Sequence, residues 1–289
     1  PPLIFYSAEL KHYACDVAFA IFFIWSAFRI LYSSNQIYTL VFGVLGLFSL
    51  VFSYSSIFIL AGGWIVLAAV SLSKKQYERL RYLLILGWLW ACLFCALYIF
   101  ELSQISGSSA LNKMWNNAFL PSDGTMMKKI EWGIYSFLNF FKYMFGPGIN
   151  YVAMVVFFVG CLKMLKESKD KFLILIIPLI ICFAAAMLRK YPFYERFLLF
   201  LLPCVYICVA QGLEFILIKT KNIVIFILLC SLILIRPMGT SLESFVKGYF
   251  REEMRPVMTH LKENLKPTDV FYMNDQAAFA FYYYLGALS

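Results

Sequence analysis

Two short clusters hold the residues able to do chemistry. Arg189-Lys190-Tyr191-Pro192-Phe193-Tyr194-Glu195-Arg196 compresses three cations and one carboxylate between two very apolar runs. A planar guanidinium on a proline-containing turn suits bidentate recognition of a phosphate, and Arg196 opens the next apolar run, where a lipid phosphate would sit. The plainer reading of these cations is snorkelling to head groups. The other cluster is Glu9-Leu10-Lys11-His12-Tyr13-Ala14-Cys15-Asp16. It places Asp16 about one turn inside an apolar run, with His12 four residues earlier on the same helical face. Asp16 can hold a hydroxyl or a basic partner, or simply complement the helix dipole. His12 and His260 are the only histidines, and neither has a second ligand at metal-binding spacing.

The elements that must position these clusters are membrane helices. Of 289 residues, 62% are hydrophobic and 14% charged. No single water-soluble core hides that much apolar surface, whereas lipid solvates helices whose backbone groups are bonded internally. About eight runs are long and apolar enough to span, at 14–31, 37–53, 56–72, 82–100, 151–165, 172–188, 197–218 and 223–235. The eight cysteines (Cys15, Cys92, Cys95, Cys161, Cys182, Cys204, Cys208 and Cys230) all lie in such runs and act as small hydrophobes, the Cys92–Cys95 spacing included.

Charge orients the helices. Lys74, Lys75, Arg79 and Arg81, then Lys163, Lys166, Lys169 and Lys171, then Lys219 and Lys221 fall on one side when eight helices alternate. By the positive-inside rule that side is cytoplasmic, and both chain ends lie outside. Glu214, near the cytoplasmic end of the seventh run, is expected to snorkel. The net charge of +9 is scattered, which argues against nucleic acid and for anionic head groups. Segment 101–150, with Lys113, Trp115, Lys128, Lys129, Trp132 and Tyr135, reads as exterior interfacial helices forming a lid or part of a site, or else a simple anchor. The expected division is a transmembrane region at 1–237 and an exterior segment at 238–289. The latter is read as a small, partial α/β tail: a helix around Arg251 to Leu265, a Pro267-Thr268-Asp269 turn and a Val270–Met273 strand. The overall class is an all-α polytopic membrane protein with that appended tail.

Five stretches, in order, resemble polytopic glycosyltransferases of the C-type fold, nearest to the lipopolysaccharide galacturonosyltransferase-like branch. They are Phe5 to Asp16, the Phe52-Ser53-Tyr54 turn, Trp115 to Pro121, Lys190-Tyr191-Pro192-Phe193 with Arg196, and Arg251 to Tyr272. Protein mannosyltransferases and aminoarabinose transferases are related to this branch. The resemblance implies sugar transfer from a polyprenyl-phosphate donor to a lipid, glycan or protein acceptor, at the outer face of the cytoplasmic (inner) membrane. It implies Arg196 and Lys190 as donor-phosphate ligands, and Asp16, Glu9, Lys11, Tyr191 and Glu195 as sugar or acceptor ligands. The catalytic carboxylate of such enzymes sits in a loop expected upstream of Pro1, so the chain by itself is expected to be inactive. No cofactor is identified, and a divalent metal stays open. The competing classes are a transporter or flippase and a polysaccharide ligase or polymerase. Transporters place ionisable groups near the midplane, whereas here the charges gather at the helix ends.

Overall fold

In the computed structural model, residues 13–33, 35–103, 115–122, 125–247 and 254–264 are described, together with 266, 270, 272–273, 277–278 and 281–284. The chain forms α1 (Tyr13–Tyr32), α2 (Gln36–Phe52), α3 (Ser56–Ser73) and α4 (Tyr77–Leu97), the last running into a π-helical turn at Tyr98–Leu102. A 3₁₀ turn at Asn116–Ala118 precedes α5 (Met126–Phe145), α6 (Ile149–Glu167) and α7 (Lys169–Met187). After a second 3₁₀ turn at Glu195–Leu201 come α8 (Leu202–Thr220), α9 (Ile223–Lys247) and α10 (Met254–Asn264).

Among the described residues seven helices are long and apolar enough to cross a membrane, and the protein is a multi-span, helical membrane protein. The expected second span is a helix of 17 residues, Gln36–Phe52, so the eight expected spans become seven long ones and one short apolar helix. The expected α/β tail is overturned, because no β-strand occurs among the described residues. Val270 and Tyr272 are almost wholly exposed and stand outside any helix or strand. A lone extended segment has no neighbour to complete its backbone hydrogen bonds, whereas a helix completes its own. The Pro267-Thr268-Asp269 turn lies outside the described residues. Two compact units divide at residues 241 and 242; in the second, α10 carries a buried Met258.

Local chemistry sets the helix ends. The Asn35 side chain accepts from Ile37 N at 2.9 Å to start α2, and that of Asn222 accepts from Val224 N at 2.9 Å to start α9. Gly146 and Gly148, at φ 88° and 84°, turn the chain between α5 and α6 through backbone space open chiefly to glycine. Contacts at the end of α1 bring the basic α3–α4 and α6–α7 turns to one face. There Arg79 is buried and donates to the carbonyls of Ile30 and Ser33, capping the C-terminal end of α1. Tyr32 Oη lies 3.4 Å from Ser168 Oγ on the α6–α7 turn of the same face.

Small residues let the helices close on each other. Gly160 of α6 and Gly212 of α8 face backbone directly: a Cβ on Gly160 would strike the Cys208 carbonyl, and one on Gly212 the Val156 carbonyl. One turn toward the basic face, Lys163 Nζ donates to Glu214 Oε2 at 2.6 Å, with Glu167 Oε2 3.8 Å away. Lys163 is therefore a buried helix-pairing residue rather than a loop cation, and Glu214 is its partner. Pro178, inside α7, packs on Gly62 of α3, where a Cβ would stand 2.6 Å from the proline ring. The Trp90 indole fills the space at Gly46 and donates to the Gly43 carbonyl at 2.9 Å, fastening α4 to α2.

Gly160→Ala is expected to lower the unfolding free energy by about 1–3 kcal/mol, the usual cost of overpacking a tight contact. Gly239→Ala, at an α9 position where a Cβ meets none of the described residues within 4 Å, should leave it unchanged or slightly raised. Chemical denaturation in matched micelles reads both.

Candidate functional site

The turn between α7 and α8 is the most heavily tied irregular segment on the face opposite the basic one. α7 closes with Arg189 N donating to Ala186 O at 3.1 Å and Lys190 N to Ala185 O at 2.8 Å. Arg189 (φ 57°) and Glu195 (φ 29°) bracket the turn in the left-handed region, a conformation that non-glycine residues hold only when their surroundings enforce it. Those surroundings are visible. Phe193 N donates to Ala118 O at 3.0 Å, and Arg189 donates to Leu120 O at 3.0 Å and to Asn116 Oδ1 at 2.8 Å. The Arg189 guanidinium also lies 5.4 Å from the centre of the Phe119 ring.

Rings complete the scaffold. Trp132 of α5 donates to Asn117 O at 3.2 Å and stacks on Phe183, while Phe193 meets both Phe140 and Phe183 edge-on. On the other side Tyr191 packs edge-on against Phe58 of α3, with centres 4.8 Å apart, and donates its hydroxyl to Phe197 O at 2.8 Å. Ser53, Ser55 and Ser56, all buried, share hydroxyl hydrogen bonds of 3.2 and 2.8 Å in the turn that carries Phe58. The Phe-Ser-Tyr turn and the 190–197 turn, distant in sequence, thus meet through the Phe58 and Tyr191 rings.

Arg196 sits at the centre of this assembly. Its guanidinium lies 5.2 Å from the Trp115 ring centre and 5.4 Å from that of Phe197, and Trp115 also contacts Tyr194. Its Nε is buried and donates to none of the described residues. Cation–π attraction holds the charge in place and leaves that donor open. Lys190 is exposed and reaches the Tyr98 hydroxyl at 3.4 Å, on the π-helical turn that ends α4. Such turns recur at functional sites.

Burial, and after it the neighbouring Cys182, Asp16 and Tyr13, pushes the Tyr191 phenol well above its ordinary range. Asp16, half-buried in the first turn of α1, is therefore electrostatically within reach of the 190–197 turn. Burial, then the adjacent Glu195 carboxylate, raises the Tyr194 phenol, while Arg196 opposes the rise. Tyr135 of α5 acts on the same phenol. Of the sequence-derived set, the structure gathers Arg196, Lys190, Tyr191, Glu195 and Asp16 at one face. Glu9, Lys11 and His12 lie outside the described residues.

Sequence reasoning missed Tyr98 and Asn116. Only contact reveals them, because their partners are 92 and 73 residues away. It gave Arg189 no role of its own, whereas Arg189 is spent on holding segment 116–120. Compared with known proteins, the chain matches no family model, no curated protein and no solved structure.

Arg189→Met is expected to release segment 116–120 and speed amide exchange at Ala118 and Phe193 by at least tenfold, as read by hydrogen–deuterium exchange; Arg189→Lys, lacking the fork, should rescue little of it. The raised Tyr191 pKa carries a sign. Its stabilising contribution is complete below the unfolded phenol value of about 10 and is lost as pH rises through the higher folded value. Thermal unfolding in micelles should therefore fall more steeply above about pH 10 in the wild type than in Tyr191→Phe.

Proposed function

We propose that the intact protein is a membrane glycosyltransferase, moving a sugar from a polyprenyl-phosphate donor to a lipid, glycan or protein acceptor at the face that carries the 189–196 turn. That face is read as the outer face of the cytoplasmic membrane, since the basic turns lie opposite. The observation that carries the reading is Arg196, a guanidinium pinned between Trp115 and Phe197 with its buried Nε open, beside the exposed Lys190. A preorganised cation costs no rearrangement when charge develops on a leaving phosphate.

In this reading an inverting displacement forms the bond from the acceptor oxygen to the sugar's anomeric carbon as the bond from that carbon to the phosphate oxygen breaks. A carboxylate base takes the acceptor proton. The lipid phosphate departs with the electron pair, toward Arg196 and Lys190. Asp16 binds a sugar or acceptor hydroxyl, with Glu9 and Lys11 as further ligands on the same stretch. Tyr191 donates its hydroxyl hydrogen bond to Phe197 O, so it offers a ligand only its oxygen lone pairs and mainly shapes the wall. Glu195 bears on Tyr194 and orients the turn.

Arg196→Ala is expected to cut transfer from a radiolabelled polyprenyl-phosphate sugar by about a hundredfold or more, the scale seen when one preorganised donor is lost. Arg196→Lys should restore little, because an ammonium lacks the planar fork. Wild-type turnover in Arg196→Ala would sink the assignment. Movement of intact donor across the bilayer without transfer would move it to the flippase class.

A further inference from the structure

On the basic face, away from the 189–196 turn, α1 presents a stripe to the membrane. Ile21, Trp25, Arg29 and Tyr32 recur at helical spacing and are all exposed. The Arg29 guanidinium lies over the Trp25 ring, 5.6 Å from its centre, and Tyr38 of α2 meets Trp25 edge-on at 6.4 Å. From the other side, Lys171 of α7 places its ammonium over the Tyr32 ring, 4.9 Å from its centre. The stripe is therefore framed by an aromatic ring from α2 and a cation from α7.

Depth identifies what fits. Arg29 is three residues from the end of α1, about 4.5 Å at the helical rise per residue, and Lys171 is the third residue of α7. Both cations stand near the ends of spanning helices, the depth at which lipid phosphates are expected, and Ile21 and Trp25 continue the stripe toward the middle of α1, where an acyl chain would run. Asp170, next to Lys171, also acts on Tyr32, so the patch suits a head group of single rather than multiple negative charge. An aromatic-backed cation pair that opens onto lipid is better matched by a phosphodiester than by water alone.

We infer that the α1 stripe, between α2 and α7, binds one anionic phospholipid in the leaflet at the basic face. Its phosphodiester contacts Arg29 and Lys171, and its acyl chain lies along Trp25 and Ile21. The site does not depend on the proposed transferase activity.

The test uses the purified chain in phosphatidylcholine nanodiscs carrying a minor fraction of dibrominated phosphatidylglycerol, or dibrominated phosphatidylcholine at the same fraction. Trp25 emission, taken as wild type minus Trp25→Phe, reports contact with the bromines. Quenching by the anionic lipid should exceed that by the zwitterionic one, and the apparent affinity for phosphatidylglycerol should fall roughly tenfold or more in Arg29→Gln/Lys171→Gln. Equal quenching by the two lipids means plain snorkelling and overturns the inference. An undiminished preference in the double variant also overturns it. Lys171→Gln alone, at the rim of the stripe, gives a milder variant in which a partial loss is expected, should the double variant fail to fold.

Discussion

Every backbone N–H and C=O that enters hydrocarbon must find its partner inside the protein, which a helix achieves within one segment, and the rest of this structure follows from that constraint. It forces the spanning segments into helices. It also drives most side-chain charge to the helix ends, where water or head groups can solvate it, and leaves packing to shape rather than to the hydrophobic effect. Gly160 against Gly212 is the clearest result: with no Cβ on either residue, two backbones approach until each glycine faces the other helix's carbonyls. The Lys163–Glu214 pair then sits beside that contact, where α6 and α8 are already held close.

The same constraint explains why the two faces differ. On the basic face, short turns and cations answer local needs: Arg79 satisfies the carbonyl end of α1, and Lys163 pairs two helices. On the opposite face, segment 115–120 and the 189–197 turn are fixed to each other by Arg189 and by rings. Phe193 is buried among Phe140 and Phe183, and Tyr191 is wedged against Phe58. An irregular turn survives there because its backbone groups find partners in segment 116–120. That rigidity holds Arg196 in place without a hydrogen bond to its Nε.

Electrostatically the turn divides its cations by use. Arg189 spends its donors on Asn116 and Leu120, Lys190 reaches outward to Tyr98, and Arg196 is held by ring faces. Three basic residues within eight positions thus become a latch, an exposed point charge and a preorganised donor. None of these differences can be read from residue type, since each follows from which ring or carbonyl lies within a few ångströms.

Patterns of local period were legible from residue order alone: the apolar runs, their approximate limits, the alternation that puts the basic turns on one face, and the two charged clusters. Helices declare themselves in this way because hydrogen bonding within a run needs no other part of the chain. The tail was misread for the complementary reason. Val270 to Met273 has the composition of a strand, but a strand exists only if another segment completes its hydrogen bonds, and composition cannot supply one. Lys163 was read as a loop cation and Glu214 as a snorkelling one, and their pairing needed α6 and α8 to be docked. Tertiary structure alone decided that Tyr191 meets Phe58, that Tyr98 receives Lys190 and that Trp115 backs Arg196, because each contact joins residues whose proximity is a property of packing rather than of sequence spacing.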